Sequence, residues 1–222
     1  MASAWSEGSE LKVISIPSSQ ASQPDGDDLA LGKSLVLLHG WGSNAQDLAA
    51  LQDYFTPQGW NLYCLNGLFA HPHAPEGWMW YDLEQSDWPG LLESRRTVLH
   101  WVSSLEERSG VPLSRTVLGG FSQGAAMSLD VGLSLPLAGL MILSGYLHPS
   151  LDLVTIATPP PRILVVHGRQ DRVVPIQAAH EVQKFLQNAP VELNLTYREM
   201  DAGHEVSWDG LKAMEQFLAE LV

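Results

Sequence analysis

The stretch TVLGGFSQGAA, residues 116–126, decides how the rest of the chain is read. Thr116-Val117-Leu118 is apolar and strand-prone, and Gly124-Ala125-Ala126 is a run of small residues that opens a helix. Between them Gly120-Phe121-Ser122-Gln123-Gly124 matches G-x-S-x-G. Set between a strand and a helix, this pattern describes a nucleophile elbow. The serine sits in a strained backbone conformation at a tight turn, and small residues flank it because strands and helix approach closely.

Working outward, strand-like and helix-like stretches alternate. Residues 34–38 (SLVLL) form a continuous apolar run, which suits a strand buried on both faces of a parallel sheet. Residues 44–55 predict a helix with Leu48, Leu51 and Phe55 at helical spacing and Ser43 or Asn44 as its cap. Residues 61–65 read as a strand that puts Cys64 in the core. Residues 91–108 read as a helix with Leu91, Arg95, Val98, Val102 and Leu105 on one face. Strands follow at 115–121, 138–143 and 162–167, and a helix at 176–188. An alternating strand nearer the edge is expected at 191–198, and a closing helix at 206–222. Residues 11–16 (LKVISI) alternate as an outer strand should. Residues 17–32 read as an exposed loop carrying Asp27 and Asp28. Residues 66–89 are long, irregular and rich in Pro and Trp, and are expected to form a lid-like loop; residues 1–10 are expected to be poorly ordered. The order gives an α/β fold with a mostly parallel sheet and helices on both faces, in a single domain over 1–222.

Composition narrows the function classes. The 222 residues include 25 Asp+Glu against 12 Lys+Arg, a formal net charge of −13, which disfavours nucleic acid and anionic membrane surfaces as partners. One cysteine excludes a disulfide within the chain and leaves too few ligands for a cysteine-based zinc site. Hydrophobic residues make up 45%, ample for a core. Residues 1–10 lack the basic start and apolar run of a secretory signal, and no stretch approaches the ~18 apolar residues of a spanning helix. A cytoplasmic protein is the expectation.

A serine hydroxyl needs a general base held by a carboxylate. Asp171 lies in His167-Gly168-Arg169-Gln170-Asp171, directly after the strand at 162–167. His204 lies in Gly203-His204-Glu205, between a strand and the last helix. Both positions fall at the C-terminal edge of a parallel sheet, where Ser122 also lies. Asp201 is the second-ranked acid. Among the other histidines, His39 and His167 stand beside glycines at strand ends and serve turn geometry, while His100 and His180 lie on helices. His148 is expected at the rim of the site. His71 and His73 flank Pro72, but no nearby acidic spacing completes a metal site. An oxyanion hole needs two backbone N–H donors, expected from Gln123 and from Trp41 in His39-Gly40-Trp41-Gly42. Leu68, Phe69, Trp78, Met79 and Trp80 are candidates to line an acyl slot.

In these motifs the chain resembles the acyl-protein thioesterase and carboxylesterase (phospholipase/carboxylesterase) family of small α/β-hydrolases. The resemblance rests on LLHGWGSNAQDL (37–48), Trp80-Tyr81-Asp82, GGFSQGAAMSL (119–129), LSGYL (143–147), HGRQDRVVP (167–175) and GHEVS (203–207). It implies an α/β-hydrolase fold, the triad Ser122, Asp171 and His204, and oxyanion donors Trp41 and Gln123. It implies neither metal nor cofactor. Ester or thioester substrates follow from it, small or protein-borne, with homodimers among the members. The acyl pocket would be bordered by residues 68–82. Two departures, Trp41 where relatives commonly carry an aliphatic residue and the bulky Trp78-Met79-Trp80, point to short or medium acyl chains. A lysophospholipase, a dienelactone-type hydrolase, a peptidase and a non-catalytic binding protein share the fold and stay open as alternatives.

Overall fold

Seven strands join in one sheet because their apolar residues recur on both faces. The structure is a computed structural model that describes residues 11–18, 32–55, 59–149, 151 and 155–221. The strands are β1 (Val13–Ile16), β2 (Lys33–Leu38), β3 (Trp60–Leu65), β6 (Thr116–Phe121), β7 (Gly139–Leu143), β8 (Arg162–Gly168) and β9 (Leu195–Met200). A two-stranded hairpin, β4 (Phe69–Ala70) and β5 (Trp78–Met79), stands apart in the long loop. The main sheet runs β1-β3-β2-β6-β7-β8-β9, parallel throughout except for β1 against β3. β1 and β9 are its edges, as their alternating patterns led us to expect.

Side chains of successive strand residues point to opposite faces, and two cores follow. Val36, Leu38, Leu118, Ile142 and Val165 pack on one face with helices α2 (Leu91–Ser103), α4 (Gln123–Gly132) and α5 (Ile176–Gln187). Leu35, Leu37, Val117, Met141 and Val166 pack on the other with α1 (Ala45–Ala49) and α6 (Trp208–Ala219). Cys64 lies in the second core, fully buried, and burial pushes its thiol up to about 12. All ten residues of α4 are buried. Among the described residues no helix is long and apolar enough to cross a membrane.

Three elements depart from expectation. The first helix is short: Asn44 caps α1 by accepting from the Asp47 amide (2.9 Å), and the chain then tightens into a 3₁₀ turn over Ala50–Asp53. The helix expected over 91–108 breaks at Ser104, before α3 (Leu105–Ser109). There the Ser104 hydroxyl donates back to the carbonyls of His100 (2.9 Å) and Trp101 (3.1 Å), which competes with the helical ladder. The last strand begins at Leu195, not Val191, because β8, its one neighbour among the described residues, begins at Arg162 behind Pro159, Pro160 and Pro161, which have no N–H to donate. The expectations for residues 1–10 and for most of the 17–32 loop lie outside the described residues.

Candidate active site

Ser122 stands between the end of β6 and the start of α4 with φ 53 and ψ −117. Non-glycine residues rarely take positive φ, at a cost on the order of 1–3 kcal/mol, so the surroundings must hold it there. The Ser122 amide donates to the Leu143 carbonyl (2.8 Å), and its carbonyl accepts from Ala126 (3.1 Å). The glycines of the motif have steric reasons. A Cβ on Gly120 would fall 2.4 Å from the Gly124 carbonyl carbon, and one on Gly124 would fall 2.2 Å from the Leu38 carbonyl oxygen. The elbow therefore closes only where strand and helix backbones touch.

β6, β8 and β9 are parallel, so their C-terminal ends share one edge of the sheet. Asp171 follows β8 and His204 follows β9. His204 Nδ1 donates to Asp171 Oδ2 at 2.7 Å, and Asp171 Oδ1 accepts from the amides of Val173 (2.9 Å) and Val174 (2.8 Å). Burial pushes the Asp171 carboxyl up, but the His204 hydrogen bond and the two amides outweigh it and hold the group below the usual carboxylate value. The Phe121 ring lies 4.7 Å from the His204 ring. Ser122 and His204 open onto the same cavity. Asp201, the second-ranked acid, instead accepts from the Gln170 side chain (2.6 Å) on the exposed surface. His167 is buried and donates to the Val174 carbonyl (2.8 Å), bracing the loop that carries Asp171.

Among the described residues, neither the Trp41 nor the Gln123 backbone N–H has an acceptor. The Gln123 side chain has a role that sequence reading missed. Fully buried, it accepts from the Trp80 amide (2.9 Å) and donates to the Tyr81 carbonyl (2.7 Å), joining the elbow to the long loop. His39, also buried, donates to the Gly40 carbonyl (2.7 Å) and accepts from the Gly67 amide (2.8 Å). The stretch expected as a lid-like loop is thus tied to the body from both β2 and α4.

The cavity beside Ser122 has a volume of about 550 Å³. Of the five side chains expected to line an acyl slot, Leu68, Phe69, Trp78, Met79 and Trp80, none lines it. Each is spent on packing the loop. Trp80 is fully buried, its indole N–H donating to the His39 carbonyl (3.0 Å). Met79 is buried and its sulfur accepts from the Trp41 indole (3.4 Å), while Leu68 is buried nearby in the loop. The Phe69 ring fills the space over Gly90, and the Trp78 ring lies under the Lys12 ammonium at 4.7 Å. The walls are instead Trp41, Leu83, Trp88, Phe121, Tyr146, Val173 and Val174. Trp88 and Tyr146 stood in the quoted loop and motif; only their placement was illegible. His148, expected at the rim, is buried behind them. His71 packs edge-on against Trp41 (4.5 Å), and His73 lies 3.3 Å from Glu84 on the surface.

Comparison with known proteins follows the same line. The family model described as Phospholipase/Carboxylesterase matches residues 28–222. An acyl-protein thioesterase 1 from Neurospora crassa is 33% identical over 181 residues, covering 68% of this chain and 73% of that protein. Esterase YpfH from Escherichia coli is 29% identical over 184 residues, covering 78% of this chain and 75% of that protein. The crystal structure of esterase PE8 superimposes with a TM-score of 0.81 at 26% identity, covering 96% of this chain and all of the other.

Proposed function

This chain belongs to the phospholipase/carboxylesterase family and hydrolyses carboxylic ester or thioester bonds, and we propose that it does so through an acyl-enzyme on Ser122. One observation carries the residue assignment: a serine at positive φ shares its cavity with a histidine whose Nδ1 lies 2.7 Å from a buried carboxylate.

In this reading His204 takes the hydroxyl proton as Ser122 attacks the carbonyl. The tetrahedral oxyanion rests on the free amides of Trp41 and Gln123, each worth about 3 kcal/mol of barrier. Asp171 keeps the imidazole in the tautomer that carries its proton on Nδ1, and stabilises the imidazolium that forms. His204 then gives its proton to the departing alcohol or thiol, and activates water against the acyl-enzyme. Substrates are short to medium acyl esters or thioesters, because Trp41 and Trp88 wall the cavity with rigid rings. A panel of acyl thioester, aryl ester, lysophospholipid and peptide substrates tests this, with Ser122→Ala as the control. Turnover of the aryl ester by Ser122→Ala at the unmodified rate would overturn the assignment.

A further inference from the structure

A buried chain of hydrogen bonds ends at the same cavity. Asp130, on α4, accepts from His148 Nδ1 at 2.8 Å. His148 Nε2 lies 2.8 Å from the Tyr81 hydroxyl, which lies 2.6 Å from the Tyr146 hydroxyl. Tyr146 lines the cavity with Ser122. The side chains of Asp130 and His148 are wholly buried. Arg95, from α2, brings its guanidinium to 3.2 Å from the other Asp130 oxygen, off the hydrogen-bond direction but close enough to supply the countercharge. This explains an arginine on the buried face of that helix. Trp88 stacks on Tyr81 (5.4 Å) and meets Tyr146 and His148 edge-on, so the set is closely packed.

The chain has a direction. A carboxylate only accepts, so His148 carries its proton on Nδ1. With that proton on Nδ1, the neutral tautomer of the imidazole presents Nε2 as an acceptor. Tyr81 then donates to Nε2, and its oxygen accepts from Tyr146. Burial raises both phenols, Tyr146 to about 12 and Tyr81 well above its usual value, so neither gives up its proton near neutral pH. The one hydroxyl proton of Tyr146 is used inward, so its oxygen has only lone pairs left to offer.

We propose that the Tyr146 oxygen is a fixed acceptor that selects, among the esters and thioesters cleaved at Ser122, those bearing a hydroxyl or amide N–H donor near the scissile bond. The proposal rests on the Ser122 reading above. Tyr81, His148 and Asp130 are positioning residues that act through Tyr146. A site built to pair with a polar substrate group rejects analogues that cannot pair.

The test uses two ester pairs that differ only in O-methylation: 2,3-dihydroxypropyl against 2,3-dimethoxypropyl butyrate, and propyl 3-hydroxybutyrate against propyl 3-methoxybutyrate, with the Tyr146→Phe protein as the control for the added methyl bulk. The hydroxyl members donate; the methoxy members only accept. The wild-type protein should favour the hydroxyl member of at least one pair roughly tenfold in kcat/KM. Tyr146→Phe should bring that ratio close to one. Tyr81→Phe should shrink it too, since it frees the Tyr146 proton to turn outward. Thermal melting and fluorophosphonate labelling of Ser122 report whether each variant is folded and reactive. Equal rates within both pairs, a preference for the methoxy members, or a ratio that survives in Tyr146→Phe would each overturn the proposal. Failure of the wild-type protein to cleave any of the four, with Ser122 unlabelled, would instead overturn the underlying serine-hydrolase assignment and take this proposal with it.

Discussion

Ser122 has the largest expected effect of any single residue. Ser122→Ala should lower turnover of p-nitrophenyl butyrate by on the order of 10⁴-fold or more and abolish fluorophosphonate labelling, with the melting temperature as the check on folding. Asp171→Asn should cost a comparable factor, roughly 10⁴ in kcat, because an amide no longer holds the tautomer that carries its proton on Nδ1. The wild-type carboxyl sits below its ordinary 3.8. As pH falls the unfolded chain takes up this proton first, so the stability Asp171 contributes is complete above its ordinary value and is lost only on further acidification. Trp41 is the residue to vary for specificity. Its indole walls the cavity and is held by Met79 and His71. Trp41→Ala should move the optimum of a p-nitrophenyl ester series to longer acyl chains; an unchanged optimum would remove Trp41 from the acyl site.

At the scale of elements, the elbow depends on contact between backbones. Gly124→Ala drives a Cβ to 2.2 Å from the Leu38 carbonyl oxygen. Backbone cannot yield there as a flexible side chain would, so the variant should lose about 1–3 kcal/mol or more in chemical unfolding. Activity should fall with it, because the loop after β2 and the start of α4 also carry the two proposed oxyanion amides. The elements themselves were largely legible. The apolar run at 34–38 suited a strand covered on both faces and residues 162–167 read as a strand; both are strands with buried interiors. Their ends were less so. Ser104 breaks a helix through a side-chain hydrogen bond, and β9 starts late for want of a partner. Neither cause is visible in periodicity, which measures only which residues face the core.

For the whole molecule, His39 links stability to pH. Burial lowers its pKa from 6.5 to about 4, against smaller opposing effects of the Gly40 carbonyl and Asp47. The unfolded chain binds that proton near 6.5 and the folded chain does not, so stability is full above 6.5 and falls as pH drops toward 4, by about 3 kcal/mol. Melting temperatures across this window should fall steeply for the wild-type protein and less steeply for His39→Asn, whatever their absolute values. The window lies above that of Asp171, so the two separate. The amino-acid sequence by itself determined the strand and helix order, and pointed to the serine, carboxylate and histidine at one edge of the sheet. It did so because an elbow and a parallel sheet impose local patterns of glycine and apolar residues. The cavity walls were decided only by the tertiary structure. Trp78 and Trp80 look as suited to an acyl slot as Trp88 does, yet Trp80 is buried against His39 while Trp88 reaches the cavity. The Asp130–His148–Tyr81–Tyr146 chain likewise joins residues from three separate segments. Which aromatic packs inward and which faces substrate depends on contacts between segments distant in sequence, and no local pattern encodes them.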